Sequence, residues 1–183
     1  MRKLLLLGLV VLSVFYPLVV YFGLQHLSPA LFSVVFVGAA VLRLLSAERS
    51  PLQLMTFVAI AAYSGAVAFS NSQTLVLLYP VFMSWCVAFV FASSLLGSHN
   101  LIETIAQKRG QVITPNAKRY TYRLTQVWAV VLSLNGVIAL VLALSGNMAL
   151  WALYCGLLSY FVIGVLFAGE WFYRRHYIRR HGA

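Results

Sequence analysis

His99 and Glu103 stand four residues apart, a spacing that brings an imidazole and a carboxylate to one face of a helix. Such a pair could contribute to a metal site or relay a proton as general acid and base. Two groups are too few to hold a metal, and no third ligand lies nearby in the sequence. The simpler expectation is a solvated pair at a membrane interface. Glu170, in GEWFYRR, is a second candidate, because an ionisable group beside a membrane is a functional candidate by default. Arg174 follows it by four residues, in the acid-then-base order that favours a helix pair, so a structural pair is expected there. Asn135 is the strongest polar residue deep inside an apolar run. In lipid it needs a partner and should face other helices. An interhelical hydrogen bond is the simpler reading. A path for a transported substrate, lined by Asn135 and Tyr160, is the sharper one.

The elements that position these residues follow from composition. The chain has 183 residues, 62% hydrophobic and 9% charged, with a mean hydropathy of +0.92. A soluble domain carries about 25% charged residues, and a chain this short cannot hide so much apolar surface from water. The expected class is all-α: a polytopic integral membrane protein forming a single membrane domain over 1–183. Six transmembrane helices are expected at about 4–24, 29–45, 51–69, 75–96, 126–144 and 149–173, with a cytoplasmic loop over 97–125.

Turn chemistry marks the joints. Pro29 suits the first turn of the second span, and Ser50 with Pro51 suits the start of the third. Pro17 falls within the first span and Pro80 near the start of the fourth. Within the loop, Leu101, Ile102, Ile105 and Ala106 give one interfacial amphipathic helix with a greasy face, and Gly110 ends it. Asn116 is a candidate cap for a helix that continues into the fifth span. Small residues mark packing faces in membranes. The third span has Ala59, Ala61, Ala62, Gly65, Ala66 and Ala68. The sixth has Gly156, Tyr160, Gly164 and Ala168 at four-residue spacing. Trp128, Trp151, Trp171 and Tyr173 fall near span ends, where an aromatic belt is expected. Cys86 and Cys155 lie inside apolar runs and read as packing residues.

The net charge is +10. Every basic residue falls in a terminus or loop that the six-span reading places on one side, so the positive-inside rule puts both termini and the long loop in the cytoplasm of a bacterial inner membrane. The loop presents Lys108, Arg109, Lys118, Arg119 and Arg123, and the last span ends in Arg174 and Arg175. These are candidate contacts for anionic lipid or a protein partner; nucleic acid is not expected. The chain has no Asp and three Glu, which excludes transferases that hold Mg²⁺ with Asp clusters. Gly-x-Ser-x-Gly, a Gly-rich phosphate loop and His-Glu-x-x-His are also absent. No catalytic, cofactor-binding or metal-binding set is expected, and no enzyme activity.

ITPNAKRYTYRLTQVWAVVLSLNGVIAL and LWALYCGLLSYFVIGVLFAGEWFYRR carry a resemblance over about 113–175. RYTYRLTQVW, Asn135-Gly136 and Gly169-Glu170-Trp171 are its main motifs. This half resembles a family of small bacterial inner-membrane proteins encoded among ketosynthase, acyl-carrier and acyltransferase genes for aryl polyenes or related fatty-acid-like lipids. FYPLVVYFGL (15–24) and the Trp128 region bear a fainter likeness to intracellular septation protein A. The first resemblance implies a lipid-pathway setting and no catalytic residues. The expectation is a non-catalytic accessory protein that docks acidic acyl carrier or synthase proteins at the bilayer, among membrane lipids and possible further copies of itself. A transporter or flippase for the lipid product and an envelope or septation role are the alternatives.

Overall fold

The structure is a computed structural model describing residues 16–46, 51–111 and 113–181. The start of the first expected span, the Glu48–Arg49 loop and the Ser50 cap lie outside the described residues. The described residues are mainly helical, with no strand among them. In chain order the helices are α1 (described over 16–23), α2 (Pro29–Ser46), α3 (Pro51–Ser70), α4 (Gln73–Ser94), α5 (Leu101–Lys108), α6 (Pro115–Leu144), α7 (Met148–Leu153), a π-helical turn (Tyr154–Leu158) and α8 (Ser159–His181). Among the described residues, three stretches are long and apolar enough to cross a membrane: Gln73–Ser94, Pro115–Leu144 and Met148–Phe172. They suggest a membrane protein.

Contacts divide the chain into two compact units, Met1–Tyr79 with Leu142–Tyr160 and Pro80–Val141 with Phe161–Ala183. In the first, α2 packs along α3. The turn between α3 and α4 is made by Asn71, which adopts a left-handed φ of 46°, a conformation its short polar side chain tolerates. Its Oδ1 accepts from the Ala30 N–H at 2.9 Å, satisfying one of the donors that α2 leaves open at its start.

Pro80 lies inside α4. It has no N–H to give the carbonyl of Val76 four residues back. In hydrocarbon that carbonyl needs another donor. Tyr16 supplies it, its hydroxyl donating to Val76 O at 2.8 Å. The neighbouring carbonyls are served in the same way. The buried Trp151 indole donates to Leu77 O at 3.1 Å, and the Tyr63 hydroxyl donates to Leu75 O. Tyr79 packs between the two tyrosines, with ring centroids 5.0 Å from Tyr16 and 6.1 Å from Tyr63.

In the second unit the core is Ala88, Trp128 and Leu132, joined by Phe91, Ile102, Leu124, Ile163 and Leu166. Trp85 crosses α6 at Gly136, where an added Cβ would stand 2.3 Å from the indole nitrogen. That nitrogen donates to Ser133 O at 3.3 Å. Glycine is needed here for close approach.

Several sequence expectations change. Trp128 and Trp151 are buried core residues, not members of an interfacial belt, whereas Trp171 is exposed as a belt residue would be. In α3 the buried stripe is Ile60, Ser64 and Val67; Ala62, Ala66 and Ala68 are exposed. The four-residue stripe of the last span assumed one continuous α-helix. The π turn inserts a wider turn into it and breaks the alignment. Gly156 approaches Pro17, 3.5 Å from the position of an added Cβ, while Tyr160, Gly164 and Ala168 are exposed.

Candidate functional site

The densest polar cluster lies where α4, α5 and α6 meet in the second unit. It is built on the start of α5. Asn100 is the N-cap, its Oδ1 accepting from the Glu103 N–H at 2.9 Å, which is the usual service of an Asn at that position. The same amide donates from Nδ2 to Glu103 Oε2 at 3.1 Å and to Thr121 Oγ1 of α6 at 3.1 Å. Thr121 in turn donates to the Lys118 carbonyl at 3.0 Å. Thr125, one turn further along α6, places its hydroxyl 3.0 Å from Asn100 Oδ1 and 2.8 Å from the Thr121 carbonyl. From the end of α4, Ser94 Oγ accepts from the Leu101 N–H at 3.0 Å. Ile102 anchors the apolar side of α5 in the core. Ile105 remains 44% exposed, so the greasy face predicted for this helix divides between core and surface.

Glu103 is closed into this cluster with 1% of its surface exposed. Its Oε1 lies 2.8 Å from His99 Nδ1. The His99 side chain is 52% exposed. The solvated pair expected from the sequence is therefore half right: the imidazole meets solvent and the carboxylate does not. A buried carboxylate is stable only when its oxygens are satisfied. Here one oxygen is served by the imidazole and the other by the Asn100 amide. No buried side-chain nitrogen or oxygen among the described residues lacks a partner.

Sequence reasoning found His99 and Glu103 and missed Asn100, Thr121 and Thr125. Asn100-x-x-Glu103 has the form of a capping motif, and Thr121 and Thr125 share a face of α6. Those were the available signals. The helix after the loop is capped by Thr114, whose Oγ1 accepts from the Ala117 N–H at 3.2 Å. This replaces Asn116 as the cap and puts Pro115 at the first helical position, where its missing N–H costs nothing.

The cations surround the cluster in sequence and face outward. Lys108, Arg109, Lys118, Arg119 and Arg123 are all exposed, and none has a carboxylate partner among the described residues. Arg174 and Arg175 lie on α8, but their side chains are outside the described set. Glu170 accepts from the Tyr120 hydroxyl of α6 at 3.1 Å, a partner not foreseen beside Arg174. Asn135 donates to Ser84 Oγ of α4 at 2.9 Å, the interhelical bond expected of it. Tyr160 is 37% exposed and belongs to the first unit, and Asn135 to the second. No group of three or more His, Cys, Asp or Glu suited to a metal ion occurs among the described residues. Comparison of the chain with family models, with curated proteins and with solved structures gives no match.

Proposed function

We propose that this chain is a six-span bacterial inner-membrane accessory protein whose cytoplasmic face docks acidic carrier or synthase proteins of a fatty-acid-like lipid pathway at the bilayer. The observation that carries the reading is the surface of α5 and the start of α6. Five cations are exposed there without a carboxylate partner among the described residues. Both described carboxylates are engaged elsewhere, Glu103 inside the α5 corner and Glu170 on Tyr120. A field of one sign steers an oppositely charged partner. The polar cluster adds rigidity, because α5 is tied to α6 by side-chain bonds, so the backbone that carries the cations needs little ordering on binding.

The test is recruitment. Lys108, Arg109, Lys118, Arg119 and Arg123 are replaced together by Gln, and carrier and synthase proteins co-purifying from native membranes are quantified over a salt series. Recruitment that falls with salt in the parent and is lost in the variant, with unchanged thermal unfolding, supports the reading. Equal recruitment by parent and variant removes it.

A further inference from the structure

We infer that Arg119 and Arg123, near the start of α6, bind the headgroup phosphate of an anionic phospholipid whose acyl chain lies along the exposed apolar face of the same helix. The site depends on α6 crossing the bilayer, as the six-span reading has it, and not on any docked protein. The helix has two faces of different character. Thr121, Thr125, Trp128, Leu132 and Ala139 recur at helical spacing and are buried. Arg119 and Arg123 are exposed on the other side. Val127, Val130, Leu134, Val137 and Val141 continue that side and are 43–60% exposed. One uncovered face therefore passes from cationic to wholly apolar within a turn. Lys118 is off it, sharing the register of Thr121 and Thr125, and Lys108 and Arg109 belong to the end of α5. Those three cations remain for a protein partner.

Length places the arginines at the right depth. The 30 residues of α6 make a rod of about 45 Å, longer than the roughly 30 Å of hydrocarbon. Its polar start must therefore project into the headgroup layer, which is about 5–8 Å deep on each side. Val127 is the first exposed apolar side chain after Arg123. Arg123 stands about 6 Å beyond it along the axis and Arg119 about 12 Å, so the two bracket the outer half of that layer. Tyr122, also exposed beside them, is an amphipathic ring of the kind enriched at this level. Like charges four residues apart on a helix repel. Here α6 contains no Asp or Glu, and neither arginine has a carboxylate partner among the described residues. An anion between them removes that repulsion. A phosphodiester offers two free oxygens, one for each guanidinium fork. An acidic protein could supply the charge, but it has no acyl chain to cover the valines and leucine below.

The probes are phosphatidylglycerol and phosphatidylcholine with the same acyl chains, added to the purified full chain in a neutral detergent. Bound lipid is counted by native mass spectrometry. The parent should retain phosphatidylglycerol in preference to phosphatidylcholine. Replacing Arg119 and Arg123 together by Gln should lower phosphatidylglycerol retention by roughly 30-fold, about fivefold for each arginine, and leave phosphatidylcholine unchanged. Both side chains are exposed, so the variant is expected to fold. Its thermal midpoint checks this, and the single variants Arg119→Gln and Arg123→Gln carry the test if the double variant fails. Lys108→Gln with Arg109→Gln should change neither lipid. Glycerol 3-phosphate, which has the headgroup charge and no chains, should not displace the lipid. Equal retention of the two lipids by the parent, equal phosphatidylglycerol retention by parent and arginine variants, or displacement by glycerol 3-phosphate overturns the proposal. Because no carrier protein enters the assay, its failure leaves the recruitment result untouched.

Discussion

Two regions of the molecule solve the same problem with different chemistry. Around Pro80, Tyr16, Tyr63 and Trp151 donate to three successive backbone carbonyls of α4. At the start of α5, Asn100, Glu103, His99, Thr121 and Thr125 bond mainly to one another. The first is a repair. A proline withdraws a donor, and neutral aromatic groups replace it where water cannot. The second is not a repair, because α5 could be capped by Asn100 alone. It uses a buried carboxylate, a costly group to bury, and ends on a surface imidazole. The difference separates polar residues that complete a backbone from polar residues that enclose a carboxylate.

The comparison can be strained most by removing the largest member of each region. Trp151→Ala should cost about 3–5 kcal/mol, since a fully buried side chain and a carbonyl partner are lost together. Glu103→Ala should cost about 3 kcal/mol, leaving the imidazole and amide facing a void. Thermal unfolding in detergent measures both. Only the second should also change the accessibility of cysteines introduced at exposed positions of α5. Loosening of α5 by Trp151→Ala as well would show that the two regions are not separate.

A smaller effect sharpens the repair reading. Tyr16→Phe should cost about 1–2 kcal/mol by leaving Val76 O unsatisfied. In a Pro80→Ala background the helix regains its own donor, and the same change should cost about 1 kcal/mol less. Strictly additive costs would mean that the hydroxyl is not answering the proline. Asn135→Leu should be smallest, about 0.6 kcal/mol, in line with interhelical hydrogen bonds in membranes. Loss of product export at that small cost would instead revive a transport role.

What the sequence made legible was periodic or local. Hydropathy located the helices, and the Gly110 stop appears as a residue at φ 76°. The continuous run of α6 from the loop into an apolar span was visible in the spacing of Tyr120, Leu124, Val127 and Trp128. Burial of Glu103 was not legible, because the residues that seal it come from α6, about twenty positions away, and no periodic pattern announces a tertiary partner. Trp128 and Trp151 were misread for a related reason. A tryptophan near the end of an apolar run fits a belt and a core equally well, and only the neighbouring helices decide. Nothing in the residue types of Tyr154–Leu158 signalled the π turn.

The unpaired cations around the α5 corner have a consequence for how this surface responds to its medium. Its five Lys and Arg side chains are exposed, and the described carboxylates are engaged elsewhere, Glu103 in the buried cluster and Glu170 on Tyr120. The patch therefore behaves as a tiny anion exchanger with a fixed capacity. Ionic strength unloads it, because its reach shrinks from about 30 Å at 0.01 M salt to about 8 Å at physiological strength.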